Sequence, residues 1–548
     1  MNKIVIIGGV AGGMSAATRL RRLDATAEII VLEKSGHVSY ANCGLPYYVG
    51  GVIETEDALL LQTPDSLHKR FRLDVRIASE ALSINRANKT IAVRNLVTGE
   101  EYELNYDKLV LSPGASPIRP NFPGSERAMT LRTVEDVERI ALAVTDKPKS
   151  AVVIGGGFIG VEIAENLIHK GIATSIVEAA PQVLAPLDIE MASYVHTELA
   201  RNGVNLFLGK SVVAIGEKTV ELIDGRSVDA EIVIMAIGVR PDVELARSAG
   251  ITIGERGGID VNQFNQTSDL DIYAIGDAAQ KKDALDGTST LVPLANLANR
   301  HGRLVADVIA GETVAARPSI GTGIIGAFGI AAALTGLTEA LAKRMDIAHK
   351  VVHLHPGSHA GYYPGAETVS LKVLFDPESG KLLGAQGIGR DGVDKRIDVI
   401  ATAIYAGLTI DDLMNLELSY APAFGSAKDA INQAGYVGNN IFTGKTGSVQ
   451  YGDLADKMAA GAMLVDVRSE SENAAGHIPG SVLIPVDTLR KNLDQLEGRE
   501  VIVHCAVGQR GHTAVQLLKG HGINAKNLDG GYTTWSQGMD AKNRATTN

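Results

Sequence analysis

The sequence predicts an α/β protein built from several domains, and three observations support this prediction. The chain has 548 residues, and because a single hydrophobic core stops growing well before this length, about three or four domains are expected. A short aliphatic run, a glycine turn and an amphipathic Ala-rich stretch follow one another near residue 3 and again near residue 151. Each copy leads to a second aliphatic strand that ends in an acidic residue, which is typical of a dinucleotide-binding βαβ unit.

The second glycine turn gives the stronger signal. Gly155, Gly157 and Gly160 match the G-x-G-x-x-G pattern of a Rossmann-like domain in full, between an aliphatic run and a helical stretch. Glycines at these positions let backbone N–H groups at a helix N-terminus approach a pyrophosphate. Glu178 ends the next predicted strand. Its carboxylate would accept a ribose 2'-hydroxyl and repel a 2'-phosphate, so the sequence predicts NADH as the ligand.

The first glycine turn departs from this pattern, because Val10 stands where the second glycine is expected. Gly8 and Gly13 remain in register. Far along the chain, residues 267–279 form a predicted strand that ends at Asp277, from where a carboxylate can hold a ribitol hydroxyl. A second dinucleotide site, built on a second Rossmann-like domain, is therefore predicted.

Two further domains follow. Between residues 311 and 436, strand-like pieces such as 369–375 give way to a helical stretch at 395–406, which predicts an α+β domain. Residues 437–448 are rich in Gly, Asn and Thr without apolar periodicity and predict a flexible linker. The rest of the chain alternates aliphatic strands with helical segments, which predicts a separate α/β domain.

Composition and charge exclude several classes of function. The 52 Lys and Arg residues against 63 Asp and Glu residues give a net charge of -11, which argues against general binding to nucleic acid or to an anionic membrane. The apolar stretch 320–337 is interrupted by glycines and threonines, so it predicts a buried strand and a helix start rather than a membrane span. Two cysteines, Cys43 and Cys505, make no disulfide framework, and no signal-peptide core is visible, so a cytoplasmic location is expected. No metal site is predicted.

Two more segments, 109–117 and 236–241, add to the pattern set by the two glycine turns. Together with the two glycine turns they resemble the two-dinucleotide flavoprotein disulfide reductase superfamily, over roughly residues 1–440. The resemblance implies FAD at the first site and NADH at the second. The implied FAD contacts are Gly8, Gly13, Glu33 and Asp277, and the implied NADH contacts are Gly155, Gly157, Gly160 and Glu178.

The residues around Cys43 limit the redox reactions in which its thiol can take part. Dithiol members of that superfamily have Cys-x4-Cys here, whereas this chain has Tyr48 five positions after Cys43. A single thiol beside a flavin cannot close an internal disulfide, so it must cycle between a thiolate and either a sulfenic acid or a mixed disulfide with a small thiol. Relatives that reduce peroxide or oxygen have a histidine where this chain has Ala11, so the peroxide route lacks its acid–base partner. The flavin and helix dipoles are expected to keep the pKa of Cys43 low.

The segment SYANCGLPYY, with YYPG and YAPAF further on, closely resembles coenzyme A disulfide reductases. By that similarity Cys43 forms a mixed disulfide with coenzyme A in a homodimer, and Tyr420 and Tyr362 of the partner subunit donate a proton to the departing thiolate. Tyr363 is an alternative to Tyr362, and packing at an interface is the alternative role for these tyrosines. The coenzyme A contacts that the resemblance implies, or that are physically suited to its phosphates, are Arg19, Arg22, Ser39, Asn42, Lys69, Arg70 and Lys428. For the basic residues among them, the alternative role is solvated surface charge.

The C-terminal motifs, at 465–485, 501–511 and 528–535, together resemble a single rhodanese domain. Cys505 begins a Cys-x4-Arg loop whose N–H groups can hold an anionic persulfide, with Arg510 adding charge. A related loop with one more residue serves phosphatases, and the six residues from Cys505 to Arg510 favour sulfur over phosphate.

These interpretations combine into one hypothesis. Cys505 takes a sulfane sulfur, a coenzyme A thiol relays it, and Cys43 with FAD and NADH releases sulfide from a persulfide or polysulfide. The alternatives are a plain coenzyme A disulfide reductase, a redox sensor, and a peroxide or oxygen reductase. The predicted domains are an FAD-binding domain at 1–149 and 266–320, an NADH-binding domain at 150–265, a dimerisation domain at 321–436, a linker at 437–448 and a rhodanese-like domain at 449–548.

Overall fold

The computed structural model describes residues 2–547, with side chains through residue 544. Its contacts divide the chain into two compact units. The first unit contains the residues up to Val177 and Lys210–Ser319, and the second contains Glu178–Gly209 and the residues from Ile320 onward. The α/β class predicted from the sequence is confirmed, with a parallel sheet at each glycine turn, an antiparallel sheet after residue 320 and a further parallel sheet after residue 446.

Helices and strands occur along the whole described part of the chain, with two runs of consecutive strands before residue 242. Up to residue 149 they are β1 (Lys3–Ile7), α1 (Ala11–Leu23), β2 (Glu28–Leu32), α2 (Leu45–Gly50), α3 (Pro64–Phe71), β3 (Asp74–Arg76), β4 (Ser79–Asn85), β5 (Thr90–Asn95), β6 (Glu101–Asn105), β7 (Lys108–Leu111), β8 (Ala115–Pro117) and α4 (Val134–Thr145). Up to residue 319 they are β9 (Ser150–Ile154), α5 (Phe158–His169), β10 (Ala173–Glu178), α6 (Ile189–Arg201), β11 (Asn205–Leu208), β12 (Val212–Ile215), β13 (Thr219–Leu222), β14 (Ser227–Asp229), β15 (Ile232–Met235), β16 (Val239–Pro241), α7 (Glu244–Ser248), β17 (Ile272–Ala274), β18 (Lys281–Lys282), β19 (Ser289–Thr290) and α8 (Ala295–Ile309).

The remaining elements form two groups. From residue 320 they are β20 (Gly323–Ala327), β21 (Ile330–Gly336), α9 (Glu339–Arg344), β22 (Lys350–Leu354), β23 (Val369–Phe375), β24 (Leu382–Gly389), α10 (Val393–Ala406) and α11 (Ala430–Phe442). From residue 447 they are β25 (Gly447–Val449), α12 (Leu454–Ala459), β26 (Met463–Asp466), α13 (Glu470–Ala474), β27 (Val482–Leu483), β28 (Val501–His504), α14 (Gln509–Gly520), β29 (Ala525–Leu528) and α15 (Gly531–Thr547).

The first unit is organised around a parallel sheet in the order β17-β7-β1-β2-β3. Strand β1 is aliphatic from Ile4 onward because both faces of this sheet are covered. Ile4 and Ile6 pack with Leu20 of α1 on one face, and Val5 and Ile7 pack on the other face against the apolar side of the antiparallel β4-β5-β6 sheet. Strand β9 pairs in parallel with β10 and β15, which repeats the arrangement around the second glycine turn.

The second unit contains two five-stranded sheets. An antiparallel sheet runs in the order β20-β21-β24-β23-β22, and a parallel sheet runs in the order β25-β29-β28-β26-β27. In the parallel sheet, Val501 and Val503 pack on one face and Ile502 packs on the other, so β28 is buried on both sides. This strand delivers the chain to Cys505 at its carboxyl end.

Two local predictions were wrong. Residues 437–442 continue helix α11 rather than forming a flexible linker, and strand β25 begins at Gly447. The stretch 320–337 forms the antiparallel hairpin of β20 and β21, not one strand and a helix start, because Gly329 turns the chain with a φ of +84°. Within residues 2–547, no helix is both long and apolar enough to cross a membrane.

Candidate functional site

The first glycine turn requires glycine at two positions. Gly8 has a φ of +101°, and a Cβ there would lie 2.0 Å from the carbonyl oxygen of Ser112. A Cβ on Gly13 would lie 1.9 Å from the carbonyl oxygen of Gly8, so only glycine lets α1 begin this close to β1. Val10 is the N-cap of α1 with a φ of -109°, which lies outside the left-handed region that favours glycine. The first turn therefore does not need a glycine with positive φ at this position.

The second turn repeats this construction. Gly155 has a φ of +105°, and a Cβ on Gly160 would lie 2.0 Å from the carbonyl oxygen of Gly155. Gly157 is the N-cap of α5, and a Cβ there would meet no described atom within 4 Å. The open space lies at a helix N-terminus, so the turn suits a pyrophosphate. Glu178 is the last residue of β10, and its carboxylate accepts a hydrogen bond of 2.7 Å from the N–H of Ala180.

Two carboxylates belong to the first site. Glu33 directly follows β2 and accepts hydrogen bonds from the N–H groups of Gly9, at 2.7 Å, and Ser35, at 2.8 Å. Asp277 lies in a short turn after β17, where burial raises the pKa of its carboxyl group. None of the residues from 2 to 547 donates a hydrogen bond to that carboxylate. A half-buried acceptor with unused lone pairs suits a hydroxyl donor from a ribitol chain, so the residues present fit a dinucleotide of this kind.

Cys43 lies in a single turn of 3-10 helix at Asn42–Gly44, directly before α2. Its side chain is exposed. Ser39 ties this segment to the first glycine turn, since its N–H donates to the carbonyl of Gly9 at 2.8 Å and its backbone is held at a φ of +49°. The thiol is therefore positioned from the same turn that begins α1.

The protein itself raises the pKa of the Cys43 thiol. Desolvation by the surrounding residues is the largest cause, and the carboxylates of Glu162 and Asp277 add to it. The low pKa expected from the sequence is not produced by these groups, because both nearby charges are negative. Cys43 is thus within electrostatic reach of Asp277 of the first site and of Glu162, which lies on the helix that begins at the second glycine turn.

Glu162 is a site residue that sequence analysis missed. Its carboxylate accepts a hydrogen bond of 3.3 Å from the hydroxyl of Tyr47, and burial raises its pKa to about 7. The charge of Glu165, one turn further along α5, raises it as well. Glu162 was visible only as an acid downstream of the glycines, and its proximity to the Cys43 segment depends on tertiary structure.

The tyrosines predicted to donate protons form a pair on the surface of the second unit. The hydroxyls of Tyr362 and Tyr420 lie 2.9 Å apart, and both side chains are exposed. Their hydrogen bond raises the pKa of Tyr362. Tyr363, the alternative, instead packs edge-on against the ring of His359 at 5.6 Å between ring centroids. The geometry therefore favours Tyr362 over Tyr363 as the partner of Tyr420.

The predicted coenzyme A residues have different surroundings. Arg19 forms an ion pair with Asp307 at 2.7 Å, so its charge is already matched within the first unit. Arg22 is exposed and lies over the ring of Phe71 at 5.2 Å. The other polar residues of this set are exposed, namely Asn42, Lys69 and Arg70 in the first unit and Lys428 in the second.

The second cysteine lies in a separate loop. Cys505 is 1% exposed, and its sulfur accepts a hydrogen bond of 3.2 Å from the N–H of Gly508, the N-cap of α14. The positive charge of Arg510 also lies close enough to interact with this sulfur. The backbone of Gly531 packs closely against this loop, since a Cβ on Gly531 would lie 2.4 Å from the carbonyl oxygen of Cys505. One backbone N–H group and the charge of one guanidinium group are therefore directed at this sulfur.

Arg510 has a partner that the sequence did not reveal. Both of its terminal nitrogens donate to the carboxylate of Glu472, at 2.7 and 2.6 Å. Glu472 belongs to the capping box of α13, in which Ser469 is the N-cap. The S-x-x-E spacing signals a helix start, but the pairing with an arginine 38 residues away does not follow from it.

A buried cluster of charges joins three segments of the second unit. The ring nitrogens of His353 lie 2.7 Å from Asp529 and 3.2 Å from Glu190, and burial is complete around the ring. The hydroxyl of Tyr451 donates to the other oxygen of Glu190 at 3.1 Å. Burial alone would lower the pKa of His353, but hydrogen bonds to Asp529 and Glu190 raise it to about 9.

Lys372 completes this cluster from strand β23. Its ammonium group is 0% exposed and lies 2.8 Å from Asp188, 2.5 Å from Glu190 and 2.6 Å from Glu339. These three carboxylates have the spacing of metal ligands, and the lysine supplies the positive charge. A second group with ligand-like spacing, His37, Glu56 and Glu138, lies near the surface of the first unit.

An oxidoreductase that uses two dinucleotides accounts for the paired turns of the first unit and the thiol within reach of both, and a sulfurtransferase-type domain accounts for the Cys505 loop. Comparison with known families agrees with this division. Residues 2–302 match the pyridine nucleotide-disulphide oxidoreductase family, residues 326–430 match its dimerisation domain, and residues 451–538 match the rhodanese-like domain. The chain belongs to the pyridine nucleotide-disulphide oxidoreductase family and has a C-terminal rhodanese-like domain.

Individual relatives are similar over different lengths. The coenzyme A disulfide reductase of Staphylococcus epidermidis is 34% identical over 438 residues, which are 80% of this chain and 99% of that protein. The crystal structure of reduced Bacillus anthracis CoADR-RHD has 47% identity and a TM-score of 0.97, covering 98% of both chains. A NAD-dependent persulfide reductase from A. fulgidus has 36% identity and a TM-score of 0.91, covering 97% of this chain and 100% of that one.

Proposed function

We propose that this enzyme reduces persulfides and polysulfides, of the coenzyme A persulfide type, with NADH and FAD, and that it releases sulfide. The observation that supports this most directly is the position of Cys43 within electrostatic reach of both Asp277 and Glu162. Asp277 belongs to the first dinucleotide site and Glu162 to the helix that begins at the second glycine turn, which supports a role for this single thiol in accepting electrons from NADH by way of FAD. When bound, FAD supplies the electron relay from NADH to sulfur.

One hydride from NADH supplies the two electrons that the reaction at Cys43 needs. The Cys43 thiolate attacks the coenzyme A sulfur of a coenzyme A persulfide, a mixed disulfide forms, and hydrosulfide leaves. Two electrons then cleave the mixed disulfide, returning the Cys43 thiolate and a coenzyme A thiolate that takes one proton. The pair of Tyr362 and Tyr420, supplied by the partner subunit of a homodimer, donates that proton.

Two observations support the assignment of Tyr362 and Tyr420 as proton donors from a partner subunit. The side chains of Tyr362 and Phe424 are 76% and 73% exposed in the single chain, and Tyr420 is 50% exposed, so this surface is available to a second copy. The match of residues 326–430 to a dimerisation domain supports the presence of a second copy. Glu162, whose pKa burial raises to about 7, is the acid of this chain available to exchange a proton with Cys43 itself.

Sulfane sulfur reaches the reductase through the rhodanese-like domain. Cys505 accepts the sulfur and forms a persulfide, which the N–H of Gly508 and the guanidinium of Arg510 stabilise. A coenzyme A thiol then collects the sulfur. Because residues 437–442 are helical and His353 bonds directly to Asp529, we assign the transfer to the mobile coenzyme A molecule and not to a swinging domain.

The test is anaerobic NADH oxidation by the FAD-bound enzyme with coenzyme A persulfide and, separately, coenzyme A disulfide. Wild type is compared with Cys43→Ser and Cys505→Ser. Faster turnover of the persulfide with sulfide release, abolished by Cys43→Ser, supports the proposal. Undiminished single-turnover release of sulfide from sulfur-loaded Cys505→Ser enzyme would contradict the relay.

A plain coenzyme A disulfide reductase is the second candidate. The relative named for that activity is 34% identical, and its whole length corresponds to 80% of this chain. In that case the reductase functions without the C-terminal domain. A clear preference for coenzyme A disulfide that is unaffected by Cys505→Ser would favour this candidate.

A further inference from the structure

The charge of Arg510 in the Cys505 loop is matched by a carboxylate. The guanidinium makes two parallel hydrogen bonds to Glu472, at 2.7 and 2.6 Å, and it also interacts with the Cys505 sulfur. A paired guanidinium of this kind is oriented but adds little net positive charge to the loop.

Glu472 is held in place independently of Arg510. One of its oxygens accepts hydrogen bonds of 3.0 Å from both the N–H and the hydroxyl of Ser469, as part of the capping box of α13. The hydrogen bonds from Arg510 are the largest cause that lowers the pKa of Glu472, to about 2, so the carboxylate is ionised at neutral pH. The negative charge is therefore a permanent part of the loop's surroundings.

Other basic side chains near the loop are also matched or neutral. Arg468 is buried and donates to both oxygens of Asp466, at 2.6 to 3.1 Å. Burial lowers the pKa of His504, the residue before Cys505, to about 4. Burial also lowers the pKa of His512, whose ring bonds to the hydroxyl of Thr446. The loop stabilises an anion mainly through backbone N–H groups.

We propose that Glu472 makes the Cys505 loop selective for singly charged sulfane donors, namely organic persulfides, over doubly charged donors such as thiosulfate. This inference depends on the proposed role of Cys505 as sulfur acceptor. With an organic persulfide, Cys505–S⁻ and RSS⁻ give Cys505–SS⁻ and RS⁻. With thiosulfate, Cys505–S⁻ and S–SO₃²⁻ give Cys505–SS⁻ and SO₃²⁻. In each reaction one S–S bond breaks, one forms, and no outside oxidant is needed.

Charge decides between these two reactions. The transition state with thiosulfate gathers three negative charges at the loop, whereas the transition state with a persulfide gathers two. The fixed carboxylate of Glu472 repels the additional charge, so it acts against the doubly charged donor. Repulsion of an unwanted donor is a common source of specificity at sites whose attractive contacts are shared.

The test measures persulfide formation on Cys505 in the FAD-bound, full-length enzyme without NADH, by rapid quench and mass spectrometry of the labelled peptide. The donors are thiosulfate and a simple alkyl persulfide whose only charge is that of the persulfide group. Glu472→Gln retains the size of the side chain and the capping hydrogen bonds. Glu470→Gln is the matched control, because Glu470 is an exposed acid on the same short helix.

Removing one charge near the loop should raise the second-order rate constant for thiosulfate about tenfold, while the rate constant for the singly charged alkyl persulfide changes less than about threefold. High salt should reduce this difference. Equal changes with both donors, or an equal gain for thiosulfate in Glu470→Gln, would overturn the inference and leave the reductase chemistry intact. If no donor loads wild-type Cys505, both the inference and the proposed sulfur relay fail, while NADH oxidation dependent on Cys43 is tested separately.

Discussion

The Nδ1 atom of His353 lies 2.7 Å from a carboxylate oxygen of Asp529, and the backbone N–H of His353 donates to the same oxygen at 3.0 Å. This pair joins strand β22 of the antiparallel sheet to the residue after β29 in the rhodanese-like domain. Two residues later, Gly531 passes under the carbonyl of Cys505. Buried charged residues therefore join the C-terminal domain to the dimerisation domain, close to the Cys505 loop.

Replacing His353 by Gln should destabilise the second unit. The substitution leaves Asp529 buried without its cation, whereas Glu190 keeps Lys372 at 2.5 Å. Loss of one partner from a buried ion pair typically costs about 3 kcal/mol. Chemical denaturation followed by far-UV circular dichroism measures this loss. His521→Gln is a control, because His521 is exposed and its ring contacts only the carbonyl of Leu517 in its own helix. Equal midpoints for both variants would show that the pair contributes nothing to stability.

The same histidine predicts a loss of stability in alkali. Its pKa in the folded chain is about 9, above the usual value near 6.5, so its contribution is full below about pH 6.5 and disappears as the pH rises through 9. Between pH 7 and 9.5 the free energy of unfolding of wild type should fall by on the order of 2 kcal/mol more than that of His353→Gln. Parallel pH profiles for the two proteins would rule out a protonated His353 in the fold.

Replacing Glu162 by Gln should lower the pKa of the Cys43 thiol. The carboxylate is one of the two negative charges that raise it, so its removal should move the labelling profile of Cys43 to lower pH. The pH dependence of iodoacetamide labelling at Cys43, followed by mass spectrometry in the FAD-bound enzyme, gives the value. Glu54→Gln removes an exposed acid from the same unit and should leave the profile unchanged. An unshifted profile in Glu162→Gln would show that the Glu162 carboxylate does not affect the pKa of the Cys43 thiol.

The tyrosine pair predicts unequal effects of two neighbouring substitutions. Tyr362→Phe removes a hydroxyl that is bonded to Tyr420, so turnover with coenzyme A disulfide should fall about tenfold to a hundredfold as proton donation is lost. Tyr363→Phe changes an adjacent tyrosine that packs on His359, and its turnover should stay near that of wild type. Steady-state kcat under anaerobic conditions makes the comparison. A larger loss in Tyr363→Phe would assign the proton to the other hydroxyl.

Glu178 predicts the choice of nicotinamide nucleotide. Removing its carboxylate in Glu178→Ser should lower the ratio of kcat/KM for NADH to that for NADPH by at least about tenfold, since repulsion of the 2'-phosphate is lost. NADH and NADPH oxidation with the same acceptor measures the ratio. Asp224→Asn, which alters an acid paired with Lys210 and Arg226, should leave the ratio unchanged. An unchanged ratio in Glu178→Ser would place discrimination elsewhere.

Local sequence patterns were sufficient for the elements that begin each site. Strands β1 and β28 lie where continuous aliphatic residues predict them, and Gly8, Gly13, Gly155 and Gly160 are required by contacts with nearby backbone. Periodicity and turn residues act over a few positions, so they can be recognised without knowledge of the fold. The two cysteine loops were recognised for the same reason.

Tertiary structure alone decided which charges are paired. Lys372 stands in an aliphatic strand with no sign that Asp188, 184 residues earlier, would receive it. Glu472 reads as a helix cap until Arg510 is placed beside it, and the hairpin at 320–337 reads as one strand until Gly329 is seen to turn. Burial makes such pairings obligatory, because a charge removed from water must find a partner, but the partner is chosen by folding and can lie anywhere along the chain.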